Sequence, residues 1–199
     1  KRKVYYIDHL GIGWLENIKD DMNYLNQYTK EYRENYYNSS KQKIVSNHLN
    51  MSYRQNSRVE LIKPFLNKND AIMEIGCSSG YFLEKIGNEY QRVGIELNNE
   101  EVEYGKELGL DIRQGDLSSV RSNERFKHIC AFQVLEHQPD PESFLKNLSK
   151  LTLKKGGYLH IEIPTLDNPL ISLYDLKEFR EFWFQEPHLY YFSKRFIPF

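Results

Sequence analysis

Two short runs hold the residues best suited to chemistry. The first is Glu74-Ile75-Gly76-Cys77-Ser78-Ser79-Gly80, which follows apolar Ile72 and Met73 and leads into Tyr81-Phe82-Leu83. Glycines at the end of a strand let a ligand approach the backbone, because no Cβ stands in the way. A helix opening directly behind them presents unpaired N–H groups and the positive end of its dipole at the same place. Glu96 closes the next apolar run, Gln91-Arg92-Val93-Gly94-Ile95-Glu96, twenty positions after Gly76. Nucleotide-binding α/β folds keep a carboxylate for ribose hydroxyls at about that distance, so the two features point to an adenosine cofactor. The second run is Glu136-His137, set in Cys130-Ala131-Phe132-Gln133-Val134-Leu135-Glu136-His137-Gln138-Pro139-Asp140-Pro141. A histidine that titrates near neutrality beside a carboxylate suits removal of a proton from a hydroxyl. His188, within His188-Leu189-Tyr190-Tyr191-Phe192-Ser193, is a third candidate for that work.

For these runs to meet, regular elements have to carry them. From Ala71 onward apolar runs alternate with amphipathic ones, which argues for a parallel sheet covered on both faces. The pattern predicts strands at 71–76, 92–96, 110–113, 127–132 and 157–163, with helices at about 80–88, 99–108 and 141–152. Asn98 is placed to cap the second helix, Gly109 suits the left-handed turn after it, and Pro141 stands at a helix start. The first fifty residues read differently. They are rich in Tyr, Asn and charge and lack β-type alternation, so residues 1–66 are expected to form a helical N-terminal arm or lid. Tyr24, Tyr28 and Tyr32 recur on one helical face beside Leu25, and a second helix is expected from Lys41 to Leu66, with Pro64 near its end. Residues 67–199 then form the α/β domain.

The glycine spacing narrows the cofactor. A dinucleotide fingerprint needs glycine where Ser78 stands, and no phosphate-binding Lys follows as in a P-loop. Glu74 would also repel a phosphate, whereas it can help to hold a cationic amino-acid tail. The run resembles motif I of the class I S-adenosylmethionine-dependent methyltransferases, whose cofactor carries an ammonium group and no phosphate. Gly115-Asp116-Leu117 is similar to the family segment whose acidic side chain accepts a hydrogen bond from the adenine amino group. Val134 to Pro141 resembles the V-L-E-H-x-x-D-P segment common among small-molecule methyltransferases of the ubiquinone, methionine-biosynthetic and sugar-modifying kinds. The stretch from His188 to Ser193 resembles a family H-x-x-x-F-[ST] segment. The resemblance spans about residues 65–196.

It implies an enzyme with a Rossmann-like, doubly wound α/β sheet. It also implies cofactor contacts from Glu74, Gly76, Cys77, Ser78, Gly80, Tyr81, Glu96, Leu97, Asp116, Leu117, Gln133 and Val134. Glu136, His137 and His188 are the expected catalytic residues at the acceptor site. Some relatives read E-x-x-E-H and hold a divalent ion there. Here Gln133 replaces one carboxylate by a neutral amide, and no metal is assigned. The expected reaction is methyl transfer from S-adenosylmethionine to a small polar metabolite, first of all O-methylation of a sugar or nucleotide-sugar acceptor, with S-adenosylhomocysteine as product. Metal-assisted RNA 2′-O-methylation and a non-catalytic partner subunit of the same fold stand as alternatives. A nicotinamide oxidoreductase is disfavoured by Ser78.

Composition sets outer bounds. The 199 residues carry 27 Lys and Arg against 28 Asp and Glu, and this near balance gives no general attraction to nucleic acid or an acidic membrane. With no apolar run of about eighteen residues and no signal-peptide pattern, a soluble, cytoplasmic protein is expected. Cys77 and Cys130 fall at or inside predicted core strands and read as reduced core thiols, while His9, His48, His128 and His160 read as surface or core residues. The class I fold carries a further helix and two strands after its fifth strand. Only Pro164 to Phe199 remain here, so the C-terminal edge strands are expected to be missing from a truncated chain. The oligomeric state is not legible in the sequence.

Overall fold

Val4-Tyr5-Tyr6-Ile7 and Ile12-Gly13-Trp14-Leu15 are made of the β-branched and aromatic side chains that favour a pleated surface. In the computed structural model, which describes residues 3–16, 41–152, 156–174, 176–178, 184 and 188–196, they form strands β1 (Val4–Ile7) and β2 (Ile12–Leu15). They pair antiparallel with Val4 opposite Leu15, and Gly11 turns the chain between them at φ 65°. The expected helical arm is thus corrected at its start, where a β-hairpin stands instead. The Tyr24, Tyr28 and Tyr32 stripe lies outside the described residues.

The helix expected from Lys41 to Leu66 is present but divided into α1 (Lys41–Arg54) and α2 (Asn56–Ile62), followed by a 3-10 turn at Lys63–Phe65. Gln55 causes the break. Its side-chain amide donates to the Met51 carbonyl at 2.9 Å, the acceptor its own backbone N–H would take in a continuous helix, and that N–H turns to Ser52 instead.

The elements that follow are β3 (Ala71–Ile75), α3 (Tyr81–Ile86), β4 (Gln91–Glu96), α4 (Asn99–Glu107), β5 (Asp111–Gln114), β6 (His128–Phe132), α5 (Pro141–Leu151), β7 (Tyr158–Glu162), α6 (Pro169–Ser172) and β8 (Tyr190–Phe192). Strands β3 to β7 form one parallel sheet in the order β5-β4-β3-β6-β7, as the alternating pattern predicts, with ends within one residue of those expected. Strand β8 instead joins β2, making a three-stranded antiparallel sheet from the two ends of the chain. Asn98 caps α4 by accepting from the Glu101 N–H at 3.0 Å, and Asp140 caps α5 ahead of Pro141.

Strand pleating sends alternate residues to opposite faces, and each face has its own core. Met73, Ile75, Ile95 and Ile129 pack with Phe144 and Leu148 of α5. Ile72, Cys130 and Phe132 pack with Ile62 of α2, Phe82 and Leu83 of α3 and Val102 of α4. Each such side chain contributes about 1.5–3 kcal/mol on burial, which holds the carboxyl ends of β3, β4 and β6 in a fixed arrangement. No described helix is long and apolar enough to cross a membrane.

His128 occupies the opposite, amino-terminal end of β6, fully buried. Its Nε2 lies 3.1 Å from Asp70 Oδ2 and its Nδ1 3.0 Å from His160 Nε2. Burial lowers both imidazoles, His160 to about 4, so the folded state keeps neutral rings that the unfolded chain protonates near pH 6.5. The unfolded state therefore binds more protons between those values, and stability falls as pH drops from about 6.5 towards 4. His160→Gln is expected to remove about 2 kcal/mol of that pH dependence, after allowance for solvent screening, in urea denaturation at pH 7 and 4.5. Parallel wild-type and variant pH curves would exclude the histidine pair as its source.

Candidate functional site

Connections from β3 run through β4 to β5 in one direction, and β6 and β7 lie on the other side of β3. The carboxyl ends of β3 and β6 therefore border the switch point of the sheet, where open parallel sheets leave a crevice for ligands. Every predicted site residue except His188 lies at the carboxyl end of β3, β4, β5 or β6 or in the turn behind it, and β8 brings that last residue in.

After β3 the chain makes a tight turn in which Gly76, Ser78 and Gly80 have φ of 70°, 47° and 80°. Ser78 is the one residue of the three that has to bear a Cβ in the left-handed region, a strain typical of functional loops. Its N–H donates to Glu96 Oε2 at 2.9 Å, and its hydroxyl accepts from Tyr81 at 3.1 Å. Glu96 also accepts from the Asn98 N–H at 2.8 Å, so one carboxylate ties the turn after β3 to the start of α4. Gly76 is exposed, and a Cβ there would meet Val134 Cγ2 at 2.7 Å. Gly80 differs: its open side is filled by Leu110 and Ile112, so it serves packing.

Glu74 is buried beneath this turn, and its Oε2 has no hydrogen-bond partner among the described residues. Burial raises its carboxyl well above the ordinary range, offset in part by the Arg58 charge. An unsatisfied buried carboxylate is costly, and an arriving ammonium group would satisfy it. With the exposed Gly76 backbone and the Glu96 carboxylate, these residues fit a cofactor that carries a ribose and a cationic tail.

Other predicted cofactor residues fall less simply. The Cys77 side chain is fully buried in the core with its thiol against Gly94, which leaves only its backbone at the turn. The Asp116 carboxylate caps a short turn, accepting from the Ser118 N–H at 2.8 Å. Those bonds hold it below the usual carboxylate range. Leu97 is exposed beyond β4, and Leu117 is half-buried beyond β5.

The turn after β6 carries the second cluster. Gln133 takes φ 57°, donates its side-chain amide to Glu162 at 3.0 Å, and aims the chain into Val134 and the 3-10 turn Leu135–His137. Glu136 is 0 % exposed, and neither of its carboxylate oxygens has a hydrogen-bond partner among the described residues. Burial pushes its carboxyl up to about 7. His137 Nε2 lies 3.8 Å from Glu136 Oε1, and the His137 and His188 rings meet edge to face at 5.0 Å. The Leu189 N–H donates to the Glu136 carbonyl at 2.9 Å and the Tyr190 hydroxyl to the Pro139 carbonyl at 3.1 Å, which fixes His188 over the turn. One donor atom from each of Glu136, His137 and His188 lies within 4.8 Å of the others, a spacing that can hold a divalent ion.

Arg58 and Glu162 were not singled out in the sequence. Arg58 of α2 binds the Glu162 carboxylate at the end of β7 through two nitrogens, donates to Gln55 Oε1 at 2.9 Å, and stacks 4.5 Å over the Phe132 ring. It holds the Glu162 carboxyl below its ordinary value and lies near enough to Glu74 to lower that group as well. A pair separated by 104 positions leaves no local spacing signal.

Comparison with known proteins bears on what this crevice does. A family profile described as a methyltransferase domain matches residues 48–197. The chain is 30% identical over 114 residues to a ubiquinone biosynthesis O-methyltransferase of Pelagibacter ubique, covering 53% of this chain and 45% of that protein. It is 25% identical over 127 residues to a tRNA U34 carboxymethyltransferase of Aliarcobacter butzleri, covering 59% and 42%. The chain thus spans less than half the length of these curated relatives. Among solved structures it is similar to coclaurine N-methyltransferase bound to N-methylheliamine and S-adenosylhomocysteine, with TM-score 0.55, 17% identity and coverage of 71% and 46%. It is also similar to the plantazolicin methyltransferase BpumL in complex with S-adenosylhomocysteine, with TM-score 0.53, 17% identity and coverage of 77% and 67%. At such identities these two likenesses speak to the fold.

Proposed function

Because the chain belongs to the methyltransferase-domain family, we propose that it transfers a methyl group from S-adenosylmethionine to a hydroxyl of a small polar metabolite, of sugar or nucleotide-sugar type. S-adenosylmethionine, when bound, supplies a methyl group already activated by its sulfonium charge. The chain's own work is then to align the acceptor and remove its proton. Glu96 holds the ribose hydroxyls and Glu74 the cationic tail. The observation that carries the acceptor chemistry is the Glu136–His137–His188 cluster, gathered within 4.8 Å beside the glycine turn. A carboxyl near pH 7 next to two imidazoles is matched to proton transfer at neutral pH. The acceptor oxygen attacks in line, the hydroxyl proton passes to His137 or Glu136, and the carbon–sulfur electron pair leaves with sulfur as S-adenosylhomocysteine. The sugar-type acceptor rests on the resemblance of the His188–Ser193 segment and the Tyr-rich first fifty residues to sugar-modifying enzymes.

A divalent ion at the same cluster is the second reading. Two buried Glu136 oxygens without a hydrogen-bond partner among the described residues are groups that a cation would satisfy, and Glu136, His137 and His188 would hold it. The ion would lower the pKa of a bound hydroxyl, and an RNA 2′-hydroxyl then becomes an alternative acceptor.

Both readings meet one assay. Labelled S-adenosylmethionine is incubated with nucleotide sugars or a short RNA, with Mg²⁺ or EDTA, after calorimetric titration of S-adenosylhomocysteine. Micromolar product binding with transfer to a sugar hydroxyl in EDTA supports the first reading. Transfer that requires the metal supports the second, and absence of product binding overturns both.

A further inference from the structure

His48 carries a function that neither spacing nor family resemblance assigns to it. It lies on α1, where among the described side chains only Ile44 and His48 are fully buried. Its Nδ1 is 2.9 Å from the Ser79 hydroxyl and its Nε2 is 2.8 Å from Glu84 Oε2 on α3. Tyr81 and Tyr104 pack against the ring edge at 6.0 and 5.4 Å, so its orientation is held on four sides. Ser79 belongs to the turn between Gly76 and Gly80, and the buried Glu101 lies beside it.

Serine, imidazole and carboxylate in series have the order of a hydrolytic triad. Ser79 is 1% exposed, however, which leaves its hydroxyl no route to a substrate. The chain of bonds therefore positions the turn. Ser79 adjoins Ser78, whose left-handed backbone is held by Glu96, and a hydroxyl held by His48 restrains the neighbouring peptide.

We propose that His48 is a positioning residue that latches α1 onto the cofactor turn, so that seating of α1 and binding of S-adenosylmethionine favour each other. This rests on the reading of that turn as the cofactor site. Two ligands or elements that order the same segment are coupled through the free energy of ordering it. Loosening α1 should then weaken cofactor binding through the turn.

The test compares wild type with His48→Phe, which keeps ring volume, and His48→Asn, whose amide nitrogen or oxygen can replace Nδ1 towards Ser79. S-adenosylhomocysteine affinity is measured by calorimetry, and amide exchange is measured on the ligand-free proteins. His48→Phe is expected to bind about tenfold more weakly, while His48→Asn stays within about threefold, a rescue that a purely structural role would not give. Exchange at Ser78 and Gly80 should accelerate in His48→Phe while the amides of β3 and β6 keep their protection. Phe binding as tightly as wild type, or Asn as weak as Phe, overturns the proposal. If wild type binds no S-adenosylhomocysteine, the cofactor reading fails separately, and unchanged exchange at Ser78 and Gly80 then decides against the latch.

Discussion

Glu96→Ala is expected to weaken S-adenosylhomocysteine binding roughly thirty- to hundredfold, about 2–3 kcal/mol, because it removes charge-assisted bonds in two places. The carboxylate would accept from the ribose hydroxyls, and it already accepts from the N–H groups of Ser78 and Asn98. A carboxylate offers about four lone-pair positions, so both tasks fit on one side chain. Without it, Ser78 loses the bond that stabilises its φ of 47°, and the turn can relax away from the binding conformation. Glu96→Gln keeps one acceptor oxygen and should fall between the two. Calorimetry gives the affinities, and a thermal melt without ligand reports the loosened turn as a small loss of stability. Binding by the alanine variant within twofold of wild type would sink the assignment of Glu96.

Glu136→Gln is expected to abolish most methyl transfer while making the protein more stable above neutral pH. Its carboxyl stands at about 7 in the folded state because burial disfavours the charged form. A raised carboxyl binds more protons folded than unfolded between about pH 4.5 and 7, so stability is greatest below that window and is lost as pH rises through it. The loss approaches about 3 kcal/mol at pH 8, and a neutral amide of nearly the same shape avoids it. Denaturation of both proteins between pH 5 and 9, in EDTA, should show curves that meet at the acid end and separate above neutrality. General acid–base groups contribute typically 10²–10⁴-fold to rate, so the same substitution should cut transfer on that scale and spare product binding. Superimposed stability curves would mean that Glu136 is not held as a strained, buried carboxyl. Stability given up at such a position is the usual cost of a functional site.

Much of the parallel sheet was legible before any coordinates. Strands β3, β4 and β6 are short apolar runs separated by glycine turns and amphipathic helices, and that information is local. Caps at Asn98 and Asp140 depend on side chains reaching only three residues onward. The hairpin at the start is not legible locally, because β1 and β2 have no polar–apolar alternation and their partner β8 lies far along the sequence. The break at Gln55 turned on one side-chain bond competing with a backbone bond.

The candidate site divides along the same line. The sequence by itself determined the kinds of group available: a glycine turn, a carboxylate after the next strand, and a Glu-His pair after the fourth. Those signals are local because each needs only a strand end and the residues directly behind it. Tertiary structure alone decided which groups meet. It carried His188 over Glu136 by pairing β8 with β2, brought Arg58 to Glu162, and set His48 against Ser79. It also withdrew the Cys77 thiol into the core and left the Glu136 carboxylate buried without a hydrogen-bond partner among the described residues. Contacts between distant residues and the burial of a charge depend on how whole faces pack, and packing is a property of the assembled chain.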